Sequence, residues 1–382
     1  MNGNQSPLKA TVLCIGDPVL DIIACESPQG LLERFGYSAG GSDIIDEDEL
    51  EKCLKEIEIV ARIPGGSAAN VAKCLAGLSS CSTVQDPQTE RPDHIEPSED
   101  NDCVSVNFSG TLGSDQNGQE YVSAMASCGV RMEYASIDQT RGNGVCLCLV
   151  GPDGQRTMRT CLRASMNHTL SEQEIHELRP TWTHFEGYYV HKSSTIVDTM
   201  RHLKDTGSKI SFDFASFDVV KGFIELFLQI LEDKLIDLLF CNEFEALEFA
   251  SLIGRDALGV SREAYLHDFI TYMVERYQFT MVVSRGDQGC LAGALDTRSP
   301  AHTAYIVSSH ADKVNVVDTI GAGDHFSAAF LYSLIRHAPL KDACRCACMA
   351  GALAVQFQGA QLAKKDMVQL KHRIDSYLDR AH

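Results

Sequence analysis

Short apolar segments alternate with longer helix-like segments along this chain of 382 residues, and this alternation restricts the possible folds strongly. The predicted strands cover residues 11–16, 104–108, 145–150, 182–189, 210–214, 235–241 and 281–284. The predicted helices cover residues 67–78, 116–128, 195–205, 223–232, 243–253 and 262–277. Such alternation favours a parallel sheet covered on both faces, so we expect a three-layer α/β core. Ligands of these sheets bind at the carboxyl ends of the strands.

A turn of small residues precedes the apolar, helix-like residues 326–335 and reads Asp318-Thr319-Ile320-Gly321-Ala322-Gly323-Asp324. Such a turn leaves backbone N–H groups unpaired at a helix start, and together with the helix dipole they attract anionic oxygens. Asp324 lies at the mouth of this anion site, where a carboxylate suits removal of a proton from a hydroxyl that attacks a phosphoryl group. A helix-capping Asp explains the segment about equally well, because short glycine patterns are common.

Two segments near the N-terminus combine glycine with polar side chains. After the first predicted strand, the segment 16–22 places carboxylates at a strand end, which suits hydrogen bonding to sugar hydroxyls and equally an ordinary turn. In the segment 64–72, Gly65 and Gly66 allow another molecule to approach the backbone. Ser67 is a candidate helix cap, and Asn70 in the first turn is able to face solvent or a ligand. An ordinary helix start explains this segment too.

Further polar groups follow later strands. Asn242 and Glu245 come after a predicted strand, where an amide and a carboxylate suit the water shell of Mg²⁺ on phosphate. A helix start rich in acidic residues is the alternative. The segment 284–289 has glycines that allow a nucleotide to lie against the backbone, although a simple hairpin explains it nearly as well. The segment 151–158 reads as a hairpin turn with Arg156 just beyond it.

The composition excludes several classes of partner. Hydrophobic residues make up 44% of the chain, which is enough for a sizeable core. The formal charge of −19 argues against nucleic acids and anionic membranes, because both bind clustered Lys and Arg. No window of the sequence has the length and apolarity of a membrane span, and residues 1–9 are polar, without the apolar core of a secretory signal.

The 15 cysteines lie mostly within apolar segments, where free cysteine packs as a small hydrophobic side chain. Without an export signal, this usage predicts a reducing, cytoplasmic compartment. Cys344, Cys346 and Cys348 are closely spaced, but only the first and last share a helix face, and no neighbouring pair completes a four-ligand set. We therefore expect this trio to belong to a helix rather than to a metal site.

Residues 82–102 differ from the rest of the chain. They contain seven acidic residues against Arg91 alone, and three prolines interrupt them. Such a segment cannot bury enough apolar area to offset the entropy of ordering. We expect a flexible, solvated acidic insert.

The glycine pair before Asn70 and the Gly-Ala-Gly-Asp segment ending at Asp324 resemble the two motifs of the PfkB (ribokinase-like) carbohydrate kinases, in the same order and at a similar separation. The resemblance covers roughly residues 11–370 outside the acidic insert, and the segments 16–22 and 152–158 are most similar to the adenosine kinase-like branch. It implies one kinase domain, residues 11–382, folded as an α/β/α sandwich with a mostly parallel central sheet.

The resemblance also implies a small β-sheet lid, with strands from about residues 21–63 and 136–165. A lid excludes water, which would otherwise accept the phosphoryl group. In this family lid strands often pair between subunits, so a homodimer is expected.

Each matching residue acquires an implied role. Asp324 would be the base that deprotonates the acceptor hydroxyl, and the transferring phosphate would be stabilised by the N–H groups of Gly321, Ala322 and Gly323. The acceptor would contact Asp21, Gly65, Gly66, Asn70 and Glu186. ATP and Mg²⁺ would lie near Asn242, Glu245, Ser284, Gly286 and Gly289. Asp318 would belong to a loop that in many members binds a monovalent cation, usually K⁺.

Two further positions take their interpretation from the resemblance. Arg156 would lie near the lid or the phosphate. His325 occupies the position after the base, where a small residue is usual, so its ring would crowd the site.

The predicted activity is transfer of the γ-phosphate of ATP to a hydroxymethyl group of a sugar or nucleoside. The alternative is a catalytically weak or silent member that binds nucleotide or sugar as a regulatory subunit. Loss of Asp324 would indicate such a member, but Asp324 is present. An oxidoreductase that uses a dinucleotide would need a Gly-x-Gly-x-x-Gly turn after the first strand. Gly16-Asp17-Pro18 does not supply such a turn.

Overall fold

Parallel strands form the centre of this computed structural model, which describes residues 10–24, 34–36, 41–80, 104–150, 156–256, 259–296, 298 and 303–381. The strands are β1 (Ala10–Ile15), β2 (Val19–Ala24), β3 (Ser42–Ile44), β4 (Ile59–Pro64), β5 (Val104–Ser109), β6 (Thr111–Gly113), β7 (Ser136–Asp138), β8 (Gly144–Val150), β9 (Arg156–Cys161), β10 (Trp182–Phe185), β11 (Lys209–Asp213), β12 (Leu238–Asn242), β13 (Thr280–Ser284), β14 (Cys290–Leu295) and β15 (Ala304–Ser309).

The helices are α1 (Glu47–Glu56), α2 (Ser67–Ser79), α3 (Gln116–Ser127), α4 (Glu172–Leu178), α5 (Ser193–Asp205), α6 (Phe217–Gly222), α7 (Ile224–Glu232), α8 (Glu243–Leu252), α9 (Arg262–Tyr277), α10 (Ala322–Ile335), α11 (Leu340–Ala354) and α12 (Lys364–Ala381). Short 3₁₀ helices cover Arg163–Asn167, Gly187–Lys192 and Gly286–Gln288. None of the helices in the described ranges is both long and apolar enough to cross a bilayer. The predicted acidic insert, residues 82–102, lies outside the described residues.

The central sheet has eight strands in the order β15-β14-β13-β12-β11-β10-β1-β5. The six strands from β13 to β5 are parallel to their neighbours, and β14 and β15 add two antiparallel strands at one edge. Parallel neighbours require crossover connections, which the helices between the strands supply. The predicted mostly parallel sheet is therefore confirmed.

Alternate side chains of each central strand enter two different cores, as the two-residue period of a strand requires. In β1, Val12 and Cys14 pack with helices α2, α3, α10, α11 and α12. Leu13 and Ile15 point the other way and pack with helices α4 to α9. Cys344, Cys346 and Cys348 of α11 are buried in the first of these cores. Helices cover both faces of the sheet, which confirms the three-layer α/β/α architecture.

A second, five-stranded sheet has the order β3-β9-β8-β2-β4, and we call it the small sheet. Strands β2, β3 and β4 lie within or next to the first segment predicted for the lid, and β8 and β9 lie within the second. Strand β7 also belongs to the second segment, but it pairs with β6 in a separate two-stranded sheet. The Arg156 side chain lies outside what the structure describes.

Strand β8 explains one difference between the predicted and observed elements. The strand–helix alternation alone groups the apolar residues 145–150 with the α/β core, whereas the family resemblance places residues 136–165 in the lid, and β8 belongs to the small sheet. Its Val145, Leu147 and Leu149 pack under α1, while Cys146 and Cys148 face the opposite side. Because both faces are buried, the strand reads as a continuous apolar segment, just as a central strand does.

Candidate active site

A cavity of about 590 Å³ opens where the carboxyl ends of the central strands meet the small sheet. Its lining contains most of the residues predicted for a site, namely Asp21, Gly66, Asn70, Glu186, Asn242, Glu245, Ser284, Gly321, Gly323 and Asp324. Five predicted residues are not among the lining residues, namely Gly65, Ala322, Gly286, Gly289 and Asp318. The fold thus brings segments from both halves of the chain to one cavity.

Asp324 lies in the first turn of α10, and its carboxylate is held by residues in the first turn of α2. The Ser67 hydroxyl donates to Oδ1 at 2.7 Å, and the Asn70 amide donates to Oδ2 at 2.8 Å. Burial raises the pKa of Asp324, while the hydrogen bonds from Ser67 and Asn70 oppose that rise by stabilising the charged form. A carboxylate with a raised pKa, facing a cavity, is suited to accept a proton.

The start of α10 has the geometry of an anion site. Gly321 is the residue before the helix and has a φ of 70°, which favours glycine. The Ala322 N–H donates to the Thr319 carbonyl at 3.3 Å. Among the described residues, the N–H groups of Gly323 and Asp324 have no hydrogen-bond partner, as expected in a first helical turn. They leave two donors beside the Asp324 carboxylate.

Glu186 connects three separate segments beneath the cavity. It directly follows β10 and is almost wholly buried. Its Oε1 accepts the Asp17 N–H at 2.6 Å, and its Oε2 accepts the Ala68 N–H at 2.7 Å. Burial, with a smaller contribution from nearby Asp17, raises the pKa of Glu186 to about 8. This carboxyl group therefore fixes the turn after β1 against the start of α2.

Asp17 is a buried carboxylate in the same turn, and it lines the cavity. Its Oδ1 accepts a hydrogen bond from the buried Lys192 ammonium, which also lies 4.5 Å from the centre of the Tyr189 ring. Its Oδ2 is buried and has no hydrogen-bond partner within the described part of the chain. An unsatisfied buried acceptor is costly, so a ligand hydroxyl at this oxygen would be favourable.

Gly65 does not line the cavity, but its lack of a side chain makes room for Asp21, which does. A Cβ atom at position 65 would lie 2.2 Å from Asp21 Oδ2, which is far closer than atoms approach in proteins. Asp21 occupies a position on β2 that faces the cavity. The close approach of backbone and carboxylate therefore requires glycine here.

Asn242 and Glu245 form a reciprocal cap at the start of α8. The Asn242 side chain accepts the Glu245 N–H at 2.9 Å, and Glu245 Oε2 accepts the Asn242 N–H at 2.8 Å. Both residues also line the cavity, as does Asp213 at the end of β11. The helix-cap interpretation and a place at the cavity are thus both correct for this pair.

Two neighbouring carboxyl groups at this end of the cavity have raised pKa values. Burial, and less strongly Asp213, raises the pKa of Glu245 to about 8. Burial also raises the pKa of Asp213 to about 7, with Asp324 contributing in the same direction. Like charges that are buried together repel, and a cation bound between them would relieve that cost.

The segment after β13 contributes less to the cavity than predicted. Ser284 reaches the lining, but Gly286 and Gly289 do not. Gly289 has a φ of 86°, and a Cβ there would lie 1.9 Å from the Ser309 carbonyl oxygen. Asp318 connects loops, because its Oδ1 accepts the Ile320 N–H at 3.0 Å and its Oδ2 accepts the Gly359 N–H at 2.6 Å.

Comparison with known proteins identifies the family. The family of pfkB carbohydrate kinases matches residues 41–367. This protein belongs to the pfkB family. An adenosine kinase of Schizophyllum commune is 22% identical over 364 residues, covering 92% of this chain and 96% of the relative. An aminoimidazole riboside kinase of Salmonella typhimurium is 23% identical over 330 residues, covering 83% and 89%.

Solved structures show the same fold. A probable sugar kinase from Rhizobium etli superposes with a TM-score of 0.75 at 20% identity, covering 97% of this pfkB-family chain and 100% of the other. The adenosine kinase from Sinorhizobium meliloti also has a TM-score of 0.75, at 19% identity, covering 95% and 99%. The resemblance read from the two glycine motifs is therefore confirmed, as is the ribokinase-like fold.

Two local predictions for this pfkB-family kinase need correction. Ser67 does not cap α2, because Gly66 is the residue before the helix and the Ser67 hydroxyl donates to Asp324 instead. His325 is not among the residues that line the cavity. Its ring is buried and turned back to the Gly321 carbonyl, 2.8 Å from Nδ1. Burial lowers the pKa of His325, so the ring is neutral and supports the helix start.

Sequence reasoning missed Asp213 and the pairing of Asp17 with Lys192. Asp213 lies near the end of the predicted strand 210–214, and a carboxylate near a strand end was the signal that could have found it. Lys192 is the last residue of the 3₁₀ helix Gly187–Lys192, and it follows the predicted strand 182–189. A lysine there gives no sign of burial, so no sequence signal points to its partner.

Proposed function

We propose that this pfkB-family kinase transfers the γ-phosphate of ATP to a hydroxymethyl group of a sugar or nucleoside. The observation that carries the proposal is the position of Asp324, which faces the cavity beside two N–H groups, those of Gly323 and Asp324, that have no partner within the described ranges. A base next to donors for anionic oxygen is the pairing that attack of a hydroxyl on a phosphoryl group requires.

In the proposed reaction, Asp324 accepts the proton of the acceptor hydroxyl as its oxygen bonds to phosphorus. The helix start formed by Gly321, Ala322 and Gly323 stabilises negative charge on the transferring group. The Gly323 and Asp324 amides are the available donors, since the Ala322 amide already donates to Thr319. The helix dipole adds to this stabilisation because positive potential lies at the N-terminus.

The acceptor hydroxyls are proposed to contact Asp21, Gly66 and Asn70, with Asp17 as an additional contact. The buried Oδ1 of Asn70 and Oδ2 of Asp17 support this assignment, because both lack a partner in the described part of the chain. Glu186 and Gly65 act indirectly, the first by fixing the Asp17 turn and the second by admitting Asp21.

The oxygen-rich donor set at the other end of the cavity fits Mg²⁺. Asp213, Asn242 and Glu245 offer carboxylate and amide oxygens, which hard divalent cations prefer. When bound, Mg²⁺ would neutralise charge on the ATP phosphates. Ser284 would lie near the same phosphates, with Gly286 and Gly289 shaping the turn. Asp318 would orient the loop proposed to hold K⁺ through its bonds to Ile320 and Gly359.

The small sheet would act as the lid that excludes water from the reaction. Apolar side chains from it line the cavity, including Val19 and Met158, with Leu162, Tyr188 and Phe223 contributed from elsewhere. Such a lining favours an acceptor that has a flat or apolar part besides its hydroxyls. Relatives named adenosine kinase and aminoimidazole riboside kinase support a riboside acceptor.

We further propose a cytoplasmic homodimer formed through edges of the small sheet. Strand β4 is an edge strand with Val60 58% exposed, and β3 at the other edge leaves Ile44 50% exposed. Exposed apolar edge strands are suited to pairing with another chain. Light scattering should give the mass of two chains, and the mass of one chain at micromolar concentration would contradict the proposal.

A phosphate-transfer screen over nucleosides and simple sugars tests the proposed activity. Each acceptor is incubated with ATP and Mg²⁺, with and without K⁺, and phosphorylated product is measured directly. We expect transfer to at least one riboside and faster transfer with K⁺. Uniform inactivity across the panel, while ATP still binds, would contradict the proposal and support a silent, nucleotide-binding protein.

A further inference from the structure

We propose that Asp21, Cys146 and Cys148 form a binding site for a soft divalent cation, with Zn²⁺ as the natural occupant by ligand chemistry. The three residues lie on the cavity side of the small sheet, and all three line the cavity. Their ligand atoms lie within 4.8 Å of one another, and no other group of this kind occurs among the described residues.

The register of the small sheet brings the three side chains together. Cys146 and Cys148 are two positions apart on β8, so they point to the same face. Strand β2 runs parallel to β8, and Asp21 is paired directly with Cys146. The intervening Leu147 points away into the core under α1. A regular pair of strands therefore holds the ligands, without a flexible loop.

The spacing of the two thiols agrees with zinc geometry. Two sulfurs bound to one tetrahedral zinc ion at about 2.3 Å each lie about 3.8 Å apart. Cys146 Sγ and Cys148 Sγ are 3.8 Å apart. Thiolate sulfur selects zinc and other soft cations over Mg²⁺ and K⁺, which prefer oxygen. This site would therefore not compete with the proposed magnesium site for the same ion.

Binding would convert both thiols to thiolates and release two protons for each ion. With the Asp21 carboxylate, the ligands supply three negative charges to the two positive charges of Zn²⁺. Because all three residues line the cavity, a water molecule there would be able to act as the fourth ligand. An open position of this kind distinguishes the site from a closed structural zinc site.

The site has a consequence for catalysis that depends on the proposed function. Asp21 is also a proposed contact for the acceptor hydroxyls, so the ion and the acceptor would compete for one carboxylate. Zn²⁺ would then inhibit phosphoryl transfer competitively against the acceptor and leave the affinity for ATP unchanged. The metal site itself requires no kinase activity and is measured separately.

The test uses Cd²⁺ as a spectroscopic probe, because bound thiolate gives an ultraviolet charge-transfer band. The intact protein should bind one Cd²⁺ with this band and release two protons, and Zn²⁺ should displace the probe. The Cys146→Ser/Cys148→Ser variant should lose the band, and Cys146→Ser and Asp21→Asn should each weaken binding by more than about tenfold, because loss of even an outer-shell partner of a ligand costs about that much.

Cys290 and Cys348 provide the matched control. Their sulfurs are 3.7 Å apart. They lie in the core and do not line the cavity. Among the described residues, no carboxylate joins them in a group that could hold a metal ion. A Cys290→Ala/Cys348→Ala variant should keep the full signal. The proposal is overturned if the Cys146→Ser/Cys148→Ser protein, folded by circular dichroism, keeps the band, or if the intact protein never shows it. Because the readout is absorption, an inactive kinase would not affect the result.

Discussion

At the scale of single residues, the candidate site is built from contacts between segments that are far apart in the chain. Ser67 and Asn70 hold the Asp324 carboxylate across 257 and 254 residues. The sequence predicted that Asn70 and Asp324 belong to a site, because each lies in a glycine motif at a helix start. It did not predict that Ser67 donates to Asp324, since a hydroxyl at a helix start serves a cap equally well.

Replacing Ser67 with Ala should shift the pH dependence of phosphoryl transfer. The Ser67 hydroxyl stabilises the charged carboxylate, so its removal raises the pKa of Asp324. The base is then deprotonated only at higher pH. In a plot of kcat/KM against pH, the acidic limb should therefore move to higher pH. Ser333→Ala is the control, because that buried hydroxyl donates to the Ala329 carbonyl inside α10. An unmoved limb in Ser67→Ala would show that Asp324 does not set it.

Replacing Gly65 with Ala should damage acceptor binding selectively. The new Cβ would lie 2.2 Å from Asp21 Oδ2, so the carboxylate must move. Loss of one hydrogen bond to an acceptor hydroxyl corresponds to roughly tenfold in KM, with little change in the KM for ATP. Gly222→Ala is a matched control, because a Cβ there meets no atom within 4 Å. Equal effects on both substrates would contradict a role for Gly65 in placing Asp21.

At the scale of helices and strands, sequence patterns predicted most elements, but the patterns alone did not separate the strands of the small sheet from those of the core. The predicted helix 262–277 matches α9 at both ends, since its cap and apolar period are local signals. The segment 182–189 was predicted as one strand, but β10 ends at Phe185 and a 3₁₀ helix follows. The chain turns there because Glu186 is held by Asp17 and Ala68, contacts that no local pattern encodes.

The carboxyl pair at the end of β11 and the start of α8 should make stability depend on pH. Asp213 and Glu245 have folded-state pKa values raised to about 7 and about 8. At pH values above the ordinary carboxyl pKa and below about 8, the folded protein holds protons that the unfolded chain has lost. The free energy of unfolding therefore falls as pH rises through that interval. Mg²⁺ should reduce this slope if it binds between the two groups.

Urea unfolding at pH 6 and pH 8 measures the effect, with and without Mg²⁺. The Asp213→Asn/Glu245→Gln variant should show a smaller loss of stability between the two pH values and no response to Mg²⁺. Glu186 keeps a residual slope in that variant, since its pKa is raised to about 8 as well. A variant with the same slope and the same response to Mg²⁺ as the parent protein would exclude the pair as the cause.

At the scale of the whole molecule, the cavity lies where two sheets meet, between the carboxyl ends of the central strands and the inner face of the small sheet. The sequence predicted the three layers from alternation alone and the small sheet from family resemblance. It predicted Asp21 of β2 as an acceptor contact, but it did not predict that Cys146 and Cys148 of β8 face the same cavity. Asp21, Cys146 and Cys148 share that face because of strand register, which is a property of pairing.

The central claim is that Asp324 is the base of a phosphoryl transfer, and the most direct test compares Asp324→Asn with the parent protein. The variant should still bind ATP and acceptor by calorimetry, while kcat falls by roughly 10²–10⁴-fold, the usual range for loss of a general base. Asp205→Asn, at an exposed position of α5, is the matched control and should keep full activity. A kcat for Asp324→Asn near that of the parent protein, with both substrates still bound, would contradict the account.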